Sequence, residues 1–225
     1  MGDPLAHFFA DEPAVGFAIV DLHGVVRFIN ERSADIFLDG RPEDALGRVV
    51  SDLFEREWVE ERMQVFHDML DHGRPVVFRH ILRGRRVQST LRLLPVEEGE
   101  PPSLSIVTVE GELEPPPEKG FAVIESAFAD FGPLSSLSRR ELEVLSLLGH
   151  GMTSAQIAEA LFRSPRTIEK HLDALRSKLG NSNRVQLASY ARAAGLRLKD
   201  ADLRRTTARS GDDGSDTDPR KPNRP

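Results

Sequence analysis

The sequence predicts an α+β chain of two domains: an N-terminal antiparallel sheet with helices over one face, then an all-α domain of four short helices. Three observations predict it. Runs of β-branched and other apolar residues flank two helical segments between residues 14 and 110. Four helix-start signals crowd into residues 134–198. The charge changes sign between the two: the net charge is −6 overall, but residues 1–114 hold 12 Lys+Arg against 22 Asp+Glu, whereas residues 134–198 hold 10 against 5.

Residues 1–13 form an acidic N-terminal segment without the basic head and apolar run of a secretion signal. From residue 14 to 110 the order is two strands, helices, three strands. Val15–Val20 and Val25–Ile29 are apolar runs around Asp21-Leu22-His23-Gly24, which supplies turn chemistry, so they predict a hairpin. Asn30 can cap a following helix that carries Ala34, Phe37 and Leu38 on one side. Val59, Met63, Phe66 and Leu70 recur at three and four residues and predict a longer helix over about Glu57–Asp71, ended by Gly73 and Pro75. Val76–Leu82, Arg86–Val96 and Ser103–Val109 have the content of half-buried strands.

Residues 111–133 read as a linker. Gly111–Lys119 contains three consecutive prolines and predicts a stiff extended segment. Phe121, Ile124 and Phe128 recur at three and four residues and predict a short amphipathic helix up to about Phe131. Residues 199–225 are polar, rich in Asp, Arg, Gly and Pro, and are expected to be disordered.

In residues 134–198 each helix start has a mechanism. Ser138 with Glu141 and Thr153 with Gln156 are capping boxes, Ser164 precedes Pro165 at a first helical position, and Asn183 opens the fourth helix. The expected helices are 138–148, 154–161, 165–179 and 183–194. Ile168, Leu172, Leu175 and Leu179 face inward on the third, which leaves Glu169, Lys170, Asp173, Arg176 and Ser177 outward. A helix held by its predecessor across a tight turn, with such a polar face, fits the major groove of double-stranded DNA. The net +5 of this segment suits phosphate contact.

Composition excludes several chemistries. Without cysteine there is no disulfide framework, thiolate zinc site, iron–sulfur cluster or cysteine-linked flavin. No apolar stretch approaches the roughly 18 residues needed to span a bilayer, so a cytoplasmic protein with no membrane partner is expected. No nucleophile–base motif, phosphate loop or metal-ligand spacing supports an enzyme.

Residues 137–196 resemble the LuxR-type helix-turn-helix domain. The likeness rests on Leu137-Ser138-Arg139-Arg140-Glu141, Val144-Leu145, Gly151-Met152-Thr153-Ser154, Ile157-Ala158, Leu161 and Ser164-Pro165-Arg166-Thr167-Ile168. It continues through His171, Lys178-Leu179-Gly180 and Arg184. The resemblance implies a tetrahelical DNA-binding domain whose third helix reads bases and whose fourth often forms a homodimer contact. By position it puts Glu169, Lys170 and Asp173 at base edges and Thr153, Arg166, Thr167 and Lys178 near phosphates. Many members carry a basic residue where this chain has Glu169, which implies a distinct operator, because a carboxylate accepts from exocyclic amines where Lys and Arg donate to guanine. The alternative for Glu169 is a repulsive i,i+4 neighbour of Asp173 or a solubilising residue.

Residues 14–110 look more loosely like a PAS sensor domain, through Asp21–Gly24, Asn30, Ala45-Leu46-Gly47, Asp52-Leu53-Phe54 and the three closing strands. That likeness implies a small-molecule ligand between sheet and helices. His67 and His72 fall where haem-binding members carry their ligand, with surface histidines the expected reading, and Trp58 is expected to pack rather than stack on a cofactor. The combined expectation is a transcription regulator controlled by its sensor domain. The alternative is a sigma-factor-like or protein-interaction module that engages RNA polymerase rather than DNA. A phosphoacceptor receiver domain is disfavoured because residues 1–114 contain no lysine.

Overall fold

A computed structural model of the chain describes residues 10, 12–95, 99, 101–115, 119–180 and 183–206. The predicted hairpin is β1 (Gly16–Asp21) with β2 (Val26–Ile29). Its turn is closed by the Asp21 carboxylate, which accepts from the backbone N–H of His23 and of Val25 at 2.9 Å each. Asn30 caps α1 (Glu31–Leu38) as expected, and its Oδ1 accepts from the N–H of both Ser33 and Phe17 at 2.9 Å. One side chain therefore fixes the helix start against the hairpin.

After α2 (Val50–Leu53) and α3 (Arg56–His72) come β3 (Val76–Leu82), β4 (Arg85–Leu93) and β5 (Ser103–Glu110). Two further strands, β6 (Ala122–Ala129) and β7 (Arg204–Arg205), complete a seven-stranded sheet of order β2-β1-β5-β4-β3-β6-β7. The first five strands pair antiparallel, as predicted; β6 runs parallel to β3, and β7 parallel to β6. Helices α1–α3 lie over the sheet and bury Ala34, Leu53, Trp58, Val59, Phe66 and Met69 against it.

The amphipathic helix expected at Phe121–Phe131 is corrected by the structure: the segment is strand β6. Phe121, Ile124 and Phe128 satisfy a helical spacing, but Ile124, Ser126 and Phe128 also alternate with the exposed Val123, Glu125 and Ala127. The free edge of β3 decides between the two periods, because its unpaired N–H and C=O groups offer a ladder that a helix cannot use. Within this segment Ala122–Ala129 is thus an added strand rather than a spacer. The expectation of disorder from residue 199 is corrected in part. Leu198–Asp202 forms a 3₁₀ turn and β7 follows it, while residues 207–225 lie outside the described residues.

The C-terminal domain contains α4 (Arg139–Gly149), α5 (Ser154–Ala160), α6 (Pro165–Leu179) and α7 (Arg184–Ala194). The Ser138–Glu141 and Thr153–Gln156 capping boxes both form, and Ser164 and Asn183 accept from Thr167 and Gln186. Leu142, Leu145, Leu148, Ile157, Ile168, Leu172, Leu175 and Leu187 close one core. That core also takes in Ile81 of β3, Ala129 of β6 and Phe131, so it is continuous with the sheet.

Ion pairs reinforce the joint. The buried Arg86 guanidinium of β4 pairs with the buried Asp200 and with Glu112 at 3.2 Å, and it donates to the Gly195 carbonyl at 3.1 Å. Arg197 closes on Glu112 as well. Two glycines permit the closest backbone approach. Gly84, in the β3–β4 turn, and Gly132, at the entry to the helical domain, have φ of 76° and 46°. A Cβ on Gly84 would meet the Phe131 carbonyl oxygen at 2.8 Å, and one on Gly132 the Arg83 carbonyl carbon at 2.8 Å. Side chains at either position would separate the two domains' backbones.

Candidate nucleic-acid interface and ligand cavity

Helix α6 is set by its own start and by the helix before it. Ser164 Oγ accepts from Thr167 N–H at 3.1 Å, and Pro165 occupies the position where a missing N–H is no loss. The turn from α5 passes through Phe162 at φ 53°, and its ring is 88% exposed. Ile168, Leu172 and Leu175 are fully buried, which fixes the rotation of α6 and leaves Arg166, Glu169, Lys170, Asp173 and Ser177 exposed. Arg176, expected outward, is half-buried.

Glu169 and Asp173, a repulsive i,i+4 pair in the alternative reading, each have a partner of their own. Glu169 Oε1 accepts from Ser154 Oγ at 2.5 Å, and Asp173 Oδ1 accepts from Arg176 Nη1 at 2.5 Å. Ser154 Oγ in turn accepts from Arg184 Nη1 at 2.8 Å, while Arg184 Nη2 donates to the Met152 carbonyl at 2.8 Å. This bracket ties α6 to the starts of α5 and α7. Sequence reasoning matched Arg184 without giving it that role.

Lys170 and Arg166 make no ion pair or hydrogen bond among the described residues, so both cations face solvent. Thr153 and Thr167 sit at the helix starts, their hydroxyls engaged with Gln156 and Ser164. Lys178 is placed differently from the other expected phosphate contacts. Its Nζ donates to Glu141 Oε2 at 2.7 Å and to the Ser136 carbonyl at 3.0 Å, which pins the end of α6 to the start of α4. Burial acts to raise the Glu141 carboxyl, but the Lys178 ammonium and the donors of Ser138 outweigh it and hold it below its ordinary value.

Beneath α1–α3 the sheet domain contains a partly open cavity of about 120 Å³. Most of its wall is hydrocarbon and aromatic, including Val20, Ile29, Leu53, Phe54 and Phe78. Its polar part is Ser33, Arg62, His80 and Ser89. Trp58 stacks on Phe54 at 4.3 Å, and Arg62 Cζ lies 3.4 Å from the centroid of the Trp58 ring, a cation–π contact. Arg62 donates to the Trp58 carbonyl at 3.0 Å and to Glu61 Oε2 at 3.1 Å, and its Nη2 lies 3.3 Å from His80 Nδ1. His80 Nε2 reaches Ser89 Oγ at 3.4 Å, and Ser89 reaches Thr108 at 3.0 Å.

Burial, with the charges of Arg62 and Arg86, pushes His80 well below the usual histidine range. Burial also lowers the Arg62 guanidinium to about 9, partly offset by Glu61. Facing a guanidinium that only donates, a neutral His80 accepts at Nδ1 and carries its proton on Nε2. His67 and His72, the histidines singled out from sequence, are exposed and turned onto the Met63 and Asp68 carbonyls of their own helix at 2.7 and 2.8 Å. The histidine in the cavity wall is His80, which strand β3 hid because all seven of its residues are buried.

An outward polar helix held across a tight turn by its predecessor is the arrangement of a helix-turn-helix domain, and the N-terminal domain is a helix-covered antiparallel sheet around a cavity. Residues 135–191 match the model for bacterial regulatory proteins of the luxR family, and residues 11–110 match the PAS fold. The C-terminal domain is thus a LuxR-family helix-turn-helix domain and the N-terminal one a PAS domain. LiaR, a transcriptional regulatory protein of Bacillus subtilis, is 44% identical over 59 residues, which are 26% of this chain and 28% of LiaR. The oxygen regulatory protein NreC of Staphylococcus aureus is 42% identical over 59 residues, 26% of this chain and 27% of NreC. The chain therefore covers under a third of the length of these relatives. Among solved structures, the VqmA–ligand–DNA complex from Vibrio cholerae is 20% identical with a TM-score of 0.47, covering 92% of this chain and 95% of that one.

Proposed function

We propose that the chain is a sequence-specific, DNA-binding transcription regulator that works as a homodimer under the control of a small molecule held in its PAS domain. The observation that carries this reading is α6, whose rotation is fixed by buried Ile168, Leu172 and Leu175 while its polar face stays open to solvent. Lys170 and Arg166 are cations without partners among the described residues, as a surface awaiting an anion requires.

In this reading Glu169, Lys170 and Asp173 face base edges. Lys170 donates to guanine acceptors, and Glu169, with Oε1 held by Ser154, offers Oε2 to an exocyclic amine. Arg166, Thr167 and Thr153 contact phosphates; Lys178 adds positive potential at the margin while holding Glu141. The solvent side of α7, where Val185 is 73% exposed, is the proposed homodimer contact. Among the described residues no helix is long and apolar enough to cross a membrane, and a cytoplasmic setting is part of the proposal.

The test is a gel-shift titration on promoter fragments across salt concentrations. Binding is expected to weaken linearly on logarithmic axes, with a slope of about −0.9 per phosphate neutralised. Arg166→Ala is expected to flatten that slope by about one contact on every fragment. Folded protein that binds no fragment in a salt-sensitive way overturns the reading.

A further inference from the structure

The PAS cavity has a chemistry of its own, and one wall of it is wired to the strand that leads into the DNA-binding domain. We propose that it holds a small, uncharged, mostly apolar molecule of about benzene size with one hydrogen-bonding atom facing Arg62, His80 and Ser89, and that Glu61 passes its presence to β6. This rests on the sensor-controlled reading above and gives it a ligand class and a route.

Size comes from the volume. An apolar protein cavity of about 150 Å³ takes up benzene, so about 120 Å³ suits a guest of roughly six non-hydrogen atoms. Polarity comes from the wall, which is apolar except for the cluster Arg62, His80 and Ser89, with Ser33 apart from it on α1. A guanidinium has five N–H donors. Three of them are taken by the Trp58 carbonyl, Glu61 and His80, so two have no partner among the described residues. Charge comes from the balance already present. Glu61 compensates Arg62 at 3.1 Å, and His80 is neutral, so an anionic guest would be buried without a counter-charge of its own.

The route begins at Glu61. While Oε2 accepts from Arg62, it also accepts from Ser126 Oγ at 2.7 Å, and Oε1 accepts from the Ala127 N–H at 2.6 Å. Ser126 Oγ then accepts from the Phe128 N–H at 3.1 Å. One carboxylate thus holds both the cavity's arginine and the middle of β6. Two residues on, Ala129, followed by Phe131, belongs to the same packed core as Leu134, Leu137 and Leu142. A guest that draws Arg62 toward itself competes with Glu61, and the change in free energy falls on β6 and the helical domain it enters.

The test uses phenol, benzene and benzoate with the full chain. Trp58, the single tryptophan, lies between Phe54 and Arg62 and reports occupancy through its emission, with calorimetry as the independent readout. Phenol is expected to bind about tenfold more tightly than benzene, with benzoate weakest. Arg62→Met is expected to erase the phenol advantage; should it fail to fold, Ala45→Leu, which fills the cavity and leaves Arg62 in place, is expected to abolish phenol binding. Phenol is expected to change DNA affinity in the unaltered chain, and Glu61→Gln, which competes less for Arg62, to bind phenol at least as tightly but lose that response. Equal binding of phenol and benzene, no binding of either, preferred binding of benzoate, or an undiminished response in Glu61→Gln overturns the proposal. Phenol binding to a chain that shows no salt-sensitive DNA binding overturns instead the regulator reading on which it rests.

Discussion

The two cores of this molecule are built to opposite ends. In the helical domain Leu145, Ile157, Ile168, Leu172 and Leu175 have no exposed surface, and their packing fixes the direction of α6. In the sheet domain large side chains surround a space of about 120 Å³, with a charged arginine and a neutral histidine in its wall. The first arrangement gives one side-chain packing and therefore one orientation of the α6 face; the second leaves a volume whose filling can change energies elsewhere. The contrast separates a filled core that fixes one helix face from a core that leaves room to be filled.

The largest expected effect breaks the contrast directly. Leu145→Ala removes a fully buried side chain from the filled core and is expected to cost about 2–5 kcal/mol in denaturant unfolding. Enlarging a residue sharpens the comparison. Ala158→Leu, in the helical core, is expected to destabilise by about 1–3 kcal/mol through overpacking. Ala45→Leu, against the cavity, is expected to stabilise by about 0.5–2 kcal/mol because space is waiting for it. If both substitutions destabilise alike, the two cores do not differ as described.

Next in size is the joint between the domains. Asp200→Ala leaves the buried Arg86 with Glu112 at 3.2 Å and Glu125 at 3.8 Å, and frees the Arg197 N–H that Asp200 accepts at 2.6 Å. A loss of about 3 kcal/mol is expected, because a buried cation loses its nearest counter-charge. A single unfolding transition that splits into two in this variant would show that the ion pair couples the domains.

How much of this was legible in the sequence follows the range of the interactions. The helix starts at Ser138, Thr153 and Ser164 were readable because each cap is closed within three residues. The turn at Asp21 and the cap at Asn30 were readable for the same reason. Strand β6 was not, because its spacing fits a helix until the free edge of β3 is known. The pairing of Lys178 with Glu141 was not readable either, because the two are 37 positions apart. The cavity wall was hidden twice over. Arg62 reads as an ordinary helix-surface charge beside Glu61, and His80 lies in a strand buried at every position.

The third expected effect is a pH dependence that arises in the core of the sheet domain. His80 is packed against Arg62 from α3, with Arg86 on the neighbouring strand adding to its positive surroundings, and its folded-state value is depressed well below 6.5. Above about pH 6.5 both folded and unfolded chains carry it neutral, so it contributes no slope. Below that value the unfolded chain binds a proton that the folded chain refuses, and stability falls as pH falls, by up to about 1.4 kcal/mol per pH unit. Unfolding measured between about pH 6.5 and 5 should show this slope, and His80→Asn should flatten it; an unchanged slope would place its origin elsewhere.

The smallest effect on stability, and the most informative about the fixed face, is expected at Glu169. Its carboxylate is exposed, so Glu169→Gln, which still accepts from Ser154 Oγ, should leave unfolding within about 0.5 kcal/mol of the parent. Glu169→Lys differs in kind, because it removes the acceptor and brings a cation toward the bracket of Ser154 and Arg184. On DNA the lysine can donate to guanine acceptors but cannot accept from an exocyclic amine, so the preferred base at one operator position should change by about 1–3 kcal/mol of discrimination. Selection of preferred sites from a random pool by the parent and both variants distinguishes the roles. A site shifted by Glu169→Lys at one position, with Glu169→Gln intermediate, fits a base-reading carboxylate. Identical preferred sites for all three would leave Glu169 only its hydrogen bond to Ser154, and the reading face would then rest on Lys170 and Asp173.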